Sequence, residues 1–259
     1  MSEIGMSTSC FYPLETEKSL ERVCSLGFKT VEMFINAYVE LDEPYISIYK
    51  KLIEENSINL VCVHTTASFA DGYCYFSDYE RRYEESKENF KKYINLANEL
   101  GSKYIVMHGI KTAAKISDSV YLERFASLTE TSKSFGVSLL QENVVNYRSE
   151  NPSYIQKMKD YIGPDFGITL DIKQCRRAGI SPYEFIDKHS DIIKHVHISD
   201  YNDKSDCITP LDGEFDFKKM FDEMKKRGYE GDYIIELYKH SYLNENEIKN
   251  AGKELKRIL

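Results

Sequence analysis

Eight short apolar or β-branched runs alternate along the chain with eight longer segments of helical period, and this alternation restricts the fold more than any other feature. The runs that read as strands are Ile4–Ser7, Thr30–Phe34, Leu60–Thr65, Tyr104–His108, Ser138–Val144, Gly167–Ile172, Ile193–Ser199 and Tyr233–Leu237. The helical segments are Glu15–Leu26, Tyr45–Asn56, Asp78–Leu100, Asp118–Phe135, Pro152–Ile162, Pro182–His189 and Phe217–Arg227, with Glu245–Leu259 last. In the third of these, Tyr79, Tyr83, Phe90, Ile94, Ala97 and Leu100 keep largely to one face. Gly27, Gly101, Gly136, Gly163 and Gly228 follow helical segments, where a left-handed residue ends a helix. Asp118 and the pair Ser181-Pro182 stand at starts, as N-cap and first-turn residues do.

Strict alternation implies parallel strands, because each crossover between them needs a helix. Eight units in 259 residues fit a single (β/α)₈ TIM barrel occupying residues 1–259 as one domain. A doubly wound open sheet is the structural alternative. Against it, Ser7-Thr8-Ser9-Cys10 after the first strand is not the Gly-rich loop that such sheets use for nucleotides.

Charge and cysteine usage narrow the partners. Lys and Arg total 34 against 42 Asp and Glu, a net charge of -8, and the basic residues are interspersed with acids, as in Glu80 to Lys92. Nucleic-acid binding normally rests on a basic excess or stripe, so nucleic acid is not an expected partner. The 6 cysteines lack any C-x-x-C pair, which suits reduced thiols rather than a disulfide framework or zinc ribbon. No apolar run approaches the roughly 18 residues that span a bilayer. The segment MSEIGMSTSC has an early acid and no secretory apolar stretch, so the expected location is cytoplasmic, without a membrane partner. A homo-oligomer is compatible with this composition.

Buried parallel strands should be continuously apolar, so polar residues at their ends ask for a reason. Glu142 shares a strand face with Leu140; Asp171 ends Gly-Ile-Thr-Leu-Asp; His197 lies in Val-His-Ile-Ser-Asp and Glu236 in Ile-Ile-Glu-Leu. His64, His108 and Glu32 end the third, fourth and second strands. At the C-terminal mouth of a barrel these ends converge. Two glutamates, an aspartate and a histidine meeting there repel one another unless a cation neutralises them. The set Glu142, Asp171, His197 and Glu236 is rich in oxygen and suits one divalent ion: Mn²⁺, Mg²⁺, Co²⁺ or Zn²⁺. Glu32 has a plainer reading as a hydrogen-bond acceptor, His195 as an interior histidine one layer deeper, and His189 and His240 as surface residues. Lys111, Arg148, Lys173 and Lys204 are candidate anion contacts at the mouth or simple surface charges.

The ordered set Gly27-Phe28-Lys29-Thr30-Val31-Glu32, His64, His108-Gly109, Glu142-Asn143, Leu170-Asp171, Ala178-Gly179, His195-Val196-His197-Ile198-Ser199-Asp200, Pro210, Gly213, Asp216-Phe217 and Ile235-Glu236 resembles the xylose-isomerase-like barrels. This family includes sugar epimerases, hydroxypyruvate and inosose enzymes, and endonuclease IV. The resemblance implies that Glu142, Asp171, His197 and Glu236 bind one metal and that Glu142 and Glu236 are the acid/base pair. It implies a small sugar-like substrate, phosphorylated or not, which is isomerised or epimerised through an enediolate. Substrate contacts are expected from His64, His108, Lys111 and Gln174, with a second metal shared by His64, His108 and Glu142 as the lesser reading.

The sequence departs from the epimerase pattern at Gln174, where a histidine is expected, and at Asp203, where a substrate-binding arginine is expected. With no Trp in the chain, an aromatic shelf would come from Phe69, Tyr73 or Tyr75. Endonuclease IV is the alternative, since His64 and His108 resemble two of its zinc ligands. Its three-metal cluster also needs the histidine replaced by Gln174 and another from Asp200–Asp216, which contains none. A barrel that binds a sugar without turnover is the third reading, against which the glutamate pair argues.

Overall fold

The computed structural model describes residues 2–66 and 68–259, without the side chains of Ser68 and Phe69. Eight parallel strands close into a barrel in sequence order. They are β1 (Ile4–Ser7), β2 (Thr30–Phe34), β3 (Asn59–His64), β4 (Tyr104–Met107), β5 (Ser138–Glu142), β6 (Gly167–Asp171), β7 (Ile193–Ile198) and β8 (Tyr233–Ile235). The ring closes where Ile4, Gly5 and Met6 pair with Tyr233, Ile234 and Ile235. Around it run α1 (Thr16–Leu26), α2 (Tyr45–Asn56), α3 (Ser68–Cys74), α4 (Glu80–Glu99), α5 (Asp118–Ser134), α6 (Pro152–Ile162), α7 (Ile172–Ala178), α8 (Pro182–His189), α9 (Phe217–Lys226) and α10 (Glu245–Ile258). Among the described residues no helix is long and apolar enough to cross a membrane. All six cysteines are free.

Burial divides into two regions. The larger lies between sheet and helices, where Phe90, Tyr93, Ile94 and Ala97 of α4 and Phe125 and Leu128 of α5 are fully buried. The smaller plugs the lumen with Val61, Cys62, Val106, Leu140 and Ile234, against which Tyr104 packs. This plug sets the height of the site. Strand side chains alternate faces, so the next inward positions beyond Cys62, Val106, Leu140 and Ile234 are His64, His108, Glu142 and Glu236. On the opposite wall Asp171 pairs in register with His197, and Thr169 with His195.

Several local expectations change. Tyr79 precedes α4 as its N-cap and is 56% exposed rather than part of the buried face. The α5 cap is Ser117, whose side chain accepts from the Val120 N–H, and Asp118 is the first helical residue. His189 is not a surface residue: its ring is buried beside Phe185 and its Nε2 lies 2.8 Å from the Pro152 carbonyl. The helices α3 and α7 were not expected. The segment of α3, Ser-Phe-Ala-Asp-Gly-Tyr-Cys, is too short for a period and contains a glycine. In α7 the helix follows β6 without a loop, because Asp171 ends the strand and also caps the helix, its Oδ1 accepting from Gln174 N–H at 3.0 Å.

Candidate active site and metal centre

Glu142, Asp171, His197 and Glu236 each offer a ligand atom, and these four atoms lie within 4.8 Å of one another. His197 Nδ1 is 3.9 Å from Glu142 Oε1, 3.8 Å from Asp171 Oδ2 and 3.7 Å from Glu236 Oε2. His197 Nδ1 is buried and makes no hydrogen bond, and the buried Asp171 Oδ2 has an ion pair with Lys173 Nζ at 3.3 Å. A buried nitrogen is seldom left so, and an imidazole nitrogen without a hydrogen bond, turned on the same point as three carboxylate oxygens, fits a cation between them. The residues present therefore suit a divalent metal.

Below the quartet, Glu32 Oε2 lies 2.8 Å from both His195 Nε2 and His197 Nε2. All three side chains are buried. A carboxylate on Nε2 makes that nitrogen the donor, which turns the other ring nitrogen, Nδ1, toward the quartet as a ligand. Burial alone would lower the His197 pKa, but Glu32 and Glu236 outweigh it and hold it well above the usual imidazole range. Burial would raise Glu32, and the two imidazoles instead hold it well below the carboxylate range. Thus Glu32 is ionised and His195 is an interior histidine, kept below its ordinary pKa chiefly by burial.

Glu142 faces two groups at once. Its Oε2 lies 2.9 Å from His108 Nε2 and 3.3 Å from His64 Nε2, while Oε1 faces His197. His64 Nδ1 is 2.8 Å from the Thr65 carbonyl and donates there, which turns Nε2 toward Glu142. The three ligand atoms of His64, His108 and Glu142 form a second compact group. Burial would raise Glu142, but His108, His197 and His64 hold it well below the carboxylate range. Asp71, from α3, is pushed by burial up to about 7, although it accepts from the His108 and Gly109 N–H groups and from Thr65 Oγ1.

Above the quartet opens a cavity of about 360 Å³, lined by Ser9, Tyr12, Phe34, Asn36, His108, Glu142, Lys173, Gln174, Glu236, Leu237 and Tyr238. That is the size of a small-molecule site. Gln174 is buried there and accepts from the Val145 N–H through Oε1. Lys173 is no surface charge: it is 4% exposed, with Nζ 2.6 Å from Glu236 Oε2 and 3.3 Å from Asp171 Oδ2. Burial raises Glu236, yet Lys173 and His197 hold its pKa below the ordinary value, and burial dominates the upward shift of Asp171.

The remaining expected contacts lie elsewhere. Lys111 is exposed and lines a separate groove with Tyr73, Arg82 and Ile116. Arg148 is turned into the structure, 2.9 Å from Asp118 and bonded to the Ala114 carbonyl, and Lys204 is exposed. The aromatic wall comes from Phe34, Tyr12 and Tyr238 rather than from the loop after β3. Tyr75 is buried in the helix-side core, and Tyr73 lies under Arg82, 3.9 Å from its ring centroid; the Phe69 side chain lies outside the described residues. Phe34 was findable, being two residues beyond Glu32 on the same strand face; it stacks on His64 with ring centroids 4.4 Å apart. Tyr12 and Tyr238 come from loops, and their spacing carries no signal.

A closed parallel barrel with a carboxylate and imidazole cluster at its mouth defines a class in which strand ends do the chemistry. The sequence profile described as "Xylose isomerase-like TIM barrel" matches residues 20–258, and the chain belongs to that family. A curated relative is the inosose dehydratase of Lacticaseibacillus casei, 22% identical in an alignment of 189 residues that covers 60% of this chain. The chain spans about 63% of that relative's length. Among solved structures, a D-tagatose 3-epimerase-like protein superposes with a TM-score of 0.81 at 24% identity, covering 99% of this chain and 96% of the other. A 3-keto-D-glucoside 4-epimerase from E. coli gives 0.79 at 15%, covering 99% and 100%. An L-ribulose 3-epimerase gives 0.75 at 21%, covering 97% and 86%. These likenesses establish a shared fold.

Proposed function

We propose that this protein is a divalent-metal-dependent isomerase or epimerase acting on a small sugar or related hydroxy-ketone. The observation that carries the reading is the pair Glu142 and Glu236 on either side of one point, with Asp171 Oδ2 and the buried His197 Nδ1, which makes no hydrogen bond, aimed at the same point. A bound Mn²⁺, Mg²⁺, Co²⁺ or Zn²⁺ would supply Lewis-acid polarisation of a carbonyl and its neighbouring hydroxyl. Glu142, held ionised by its imidazoles, is suited to remove a proton from the carbon beside the carbonyl. Glu236 faces the same point from the opposite strand wall; ionised beside Lys173, it takes up a proton from a substrate hydroxyl or from water and then delivers it to the other face or to the neighbouring carbon. His64 and His108 are placed to hold substrate oxygens. Phe34, Tyr12 and Tyr238 offer apolar faces to C–H groups, and Asn36 and Gln174 offer polar atoms to hydroxyls.

The lining favours an unphosphorylated substrate. Lys173 is already paired with Glu236 and Asp171, and Lys111, Arg148 and Lys204 do not line the cavity. The match to an inosose dehydratase favours a second reading, in which the same proton removal is followed by loss of a β-hydroxyl. The nuclease reading gains a compact His64, His108 and Glu142 group but still lacks the histidines of a third metal site. The test is conversion of a panel of unphosphorylated ketoses by protein reconstituted with each metal, followed by chromatography. Interconversion that falls about 10²–10⁴-fold in Glu142→Gln and Glu236→Gln supports the proposal. A dehydrated product supports the second reading, and metal-loaded protein that binds sugars without converting any supports a binding protein.

A further inference from the structure

Lys173 occupies oxygens that the quartet would turn toward a cation. Its ammonium is 2.6 Å from Glu236 Oε2 and 3.3 Å from Asp171 Oδ2, and those same two oxygens are the ones that face His197 Nδ1 at 3.7 and 3.8 Å. The lysine reaches this place from the first turn of α7, two residues after the Asp171 cap, so the strand-to-helix junction delivers ligand and ammonium together. It cannot swing freely into solvent. The side chain is 4% exposed and its Nζ lies 5.0 Å from the Tyr238 ring centroid, which walls it on the other side. Tyr238 is itself held by a hydrogen bond from Arg177 Nη1 to its hydroxyl at 2.8 Å.

We propose that the Lys173 ammonium is a built-in counter-ion that competes with the divalent cation for Glu236 Oε2 and Asp171 Oδ2, and so sets how tightly the cation is held. The proposal rests on the reading that the quartet binds a metal. Three carboxylates in a buried pocket repel one another strongly at low effective dielectric. The lysine cancels one of their charges at all times, which keeps the metal-free site folded. The divalent cation then cancels the other two, but it approaches against a fixed positive charge that shares two of its oxygens. Removing that charge leaves the metal-free site more acidic and the cation better held.

The measurement is Mn²⁺ affinity by titration calorimetry of wild-type protein and the variants Lys173→Met, Lys173→Gln and His197→Ala. The expected result is about tenfold or greater tightening in both lysine variants, with binding lost in His197→Ala. Equal or weaker binding in the lysine variants, with binding still lost in His197→Ala, overturns the counter-ion role and leaves the metal reading intact. Wild-type protein that binds no Mn²⁺, or a His197→Ala variant that binds as wild type, overturns both. Should neither lysine variant fold, the wild type decides: Mn²⁺ must speed acetylation of Lys173 by an N-hydroxysuccinimide ester, read by peptide mass spectrometry. An unchanged or slower rate overturns the proposal.

Discussion

Glu32 does not line the cavity, yet it fixes which nitrogen His197 presents. Replacing it by Gln keeps the size and one acceptor but removes the charge that both imidazoles face at 2.8 Å. The expected outcome is a 10- to 100-fold loss of metal affinity by calorimetry with little change in far-ultraviolet circular dichroism. His189 gives a residue-scale prediction of another kind. Burial, the dominant cause, holds its folded pKa below 6.5 while its Nε2 bonds to the Pro152 carbonyl. Because the folded pKa is depressed for a base, the unfolded chain takes the proton first, so stability falls as pH drops below about 6.5. The slope is at most about 1.4 kcal/mol per pH unit for this one group. Denaturant titrations of His189→Gln should show a shallower loss between pH 6.5 and 5; an identical slope contradicts the assignment. The quartet itself was readable because strand positions alternate in and out and four acids or imidazoles stood where apolar residues belong. His189 was misread because nothing in an eight-residue helix tells a histidine whether a carbonyl across a neighbouring helix awaits it.

Two loop-forming carboxylates act at the scale of elements. Asp200, just beyond β7, accepts from the Tyr201, Leu211, Gly213 and Phe215 N–H groups at 2.8–3.0 Å and so gathers the connection to α9 around one side chain. Gly213 is required there, since a Cβ would lie 2.3 Å from the Tyr201 carbonyl and 2.4 Å from Asp200 Oδ1. Asp200→Ala strands those donors and should cost about 3 kcal/mol or more in denaturant unfolding. A loss below about 1 kcal/mol would mean that the loop is organised otherwise. Asp171 joins two duties that substitution can separate. Asn caps a helix about as well as Asp, so Asp171→Asn should lose metal affinity while keeping its unfolding free energy within about 0.5 kcal/mol. Asp171→Ala should lose the affinity and about 1 kcal/mol besides. Strand and helix positions were legible within a few residues because the apolar rhythm is set by burial on the two sides of the sheet. The helices α3 and α7 were hidden because each is 7 residues long, less than the two turns needed for a helical period to show. The same blindness covered Lys173, whose place depends on α7 starting without a loop.

At the scale of the molecule, the barrel brings together side chains from β2 to β8 that are up to 204 positions apart in the chain, from Glu32 to Glu236. The site is therefore formed only by the closed barrel, and a cation bound to it stabilises the whole fold. At a free metal concentration a hundredfold above the dissociation constant the gain is about 2.7 kcal/mol. For a chain of this length, that corresponds to a rise of several degrees in Tm, expected for the wild type and absent in Asp171→Asn. The central claim, that Glu142 and Glu236 exchange a carbon-bound proton of a small ketose, is tested most directly in deuterated water. Metal-loaded protein is incubated with the ketose panel and the recovered sugars are read by proton magnetic resonance. The account predicts deuterium at the carbon beside the carbonyl, abolished in Glu142→Gln and in Glu236→Gln. Exchange that persists in both variants, or no exchange with any ketose, would contradict it.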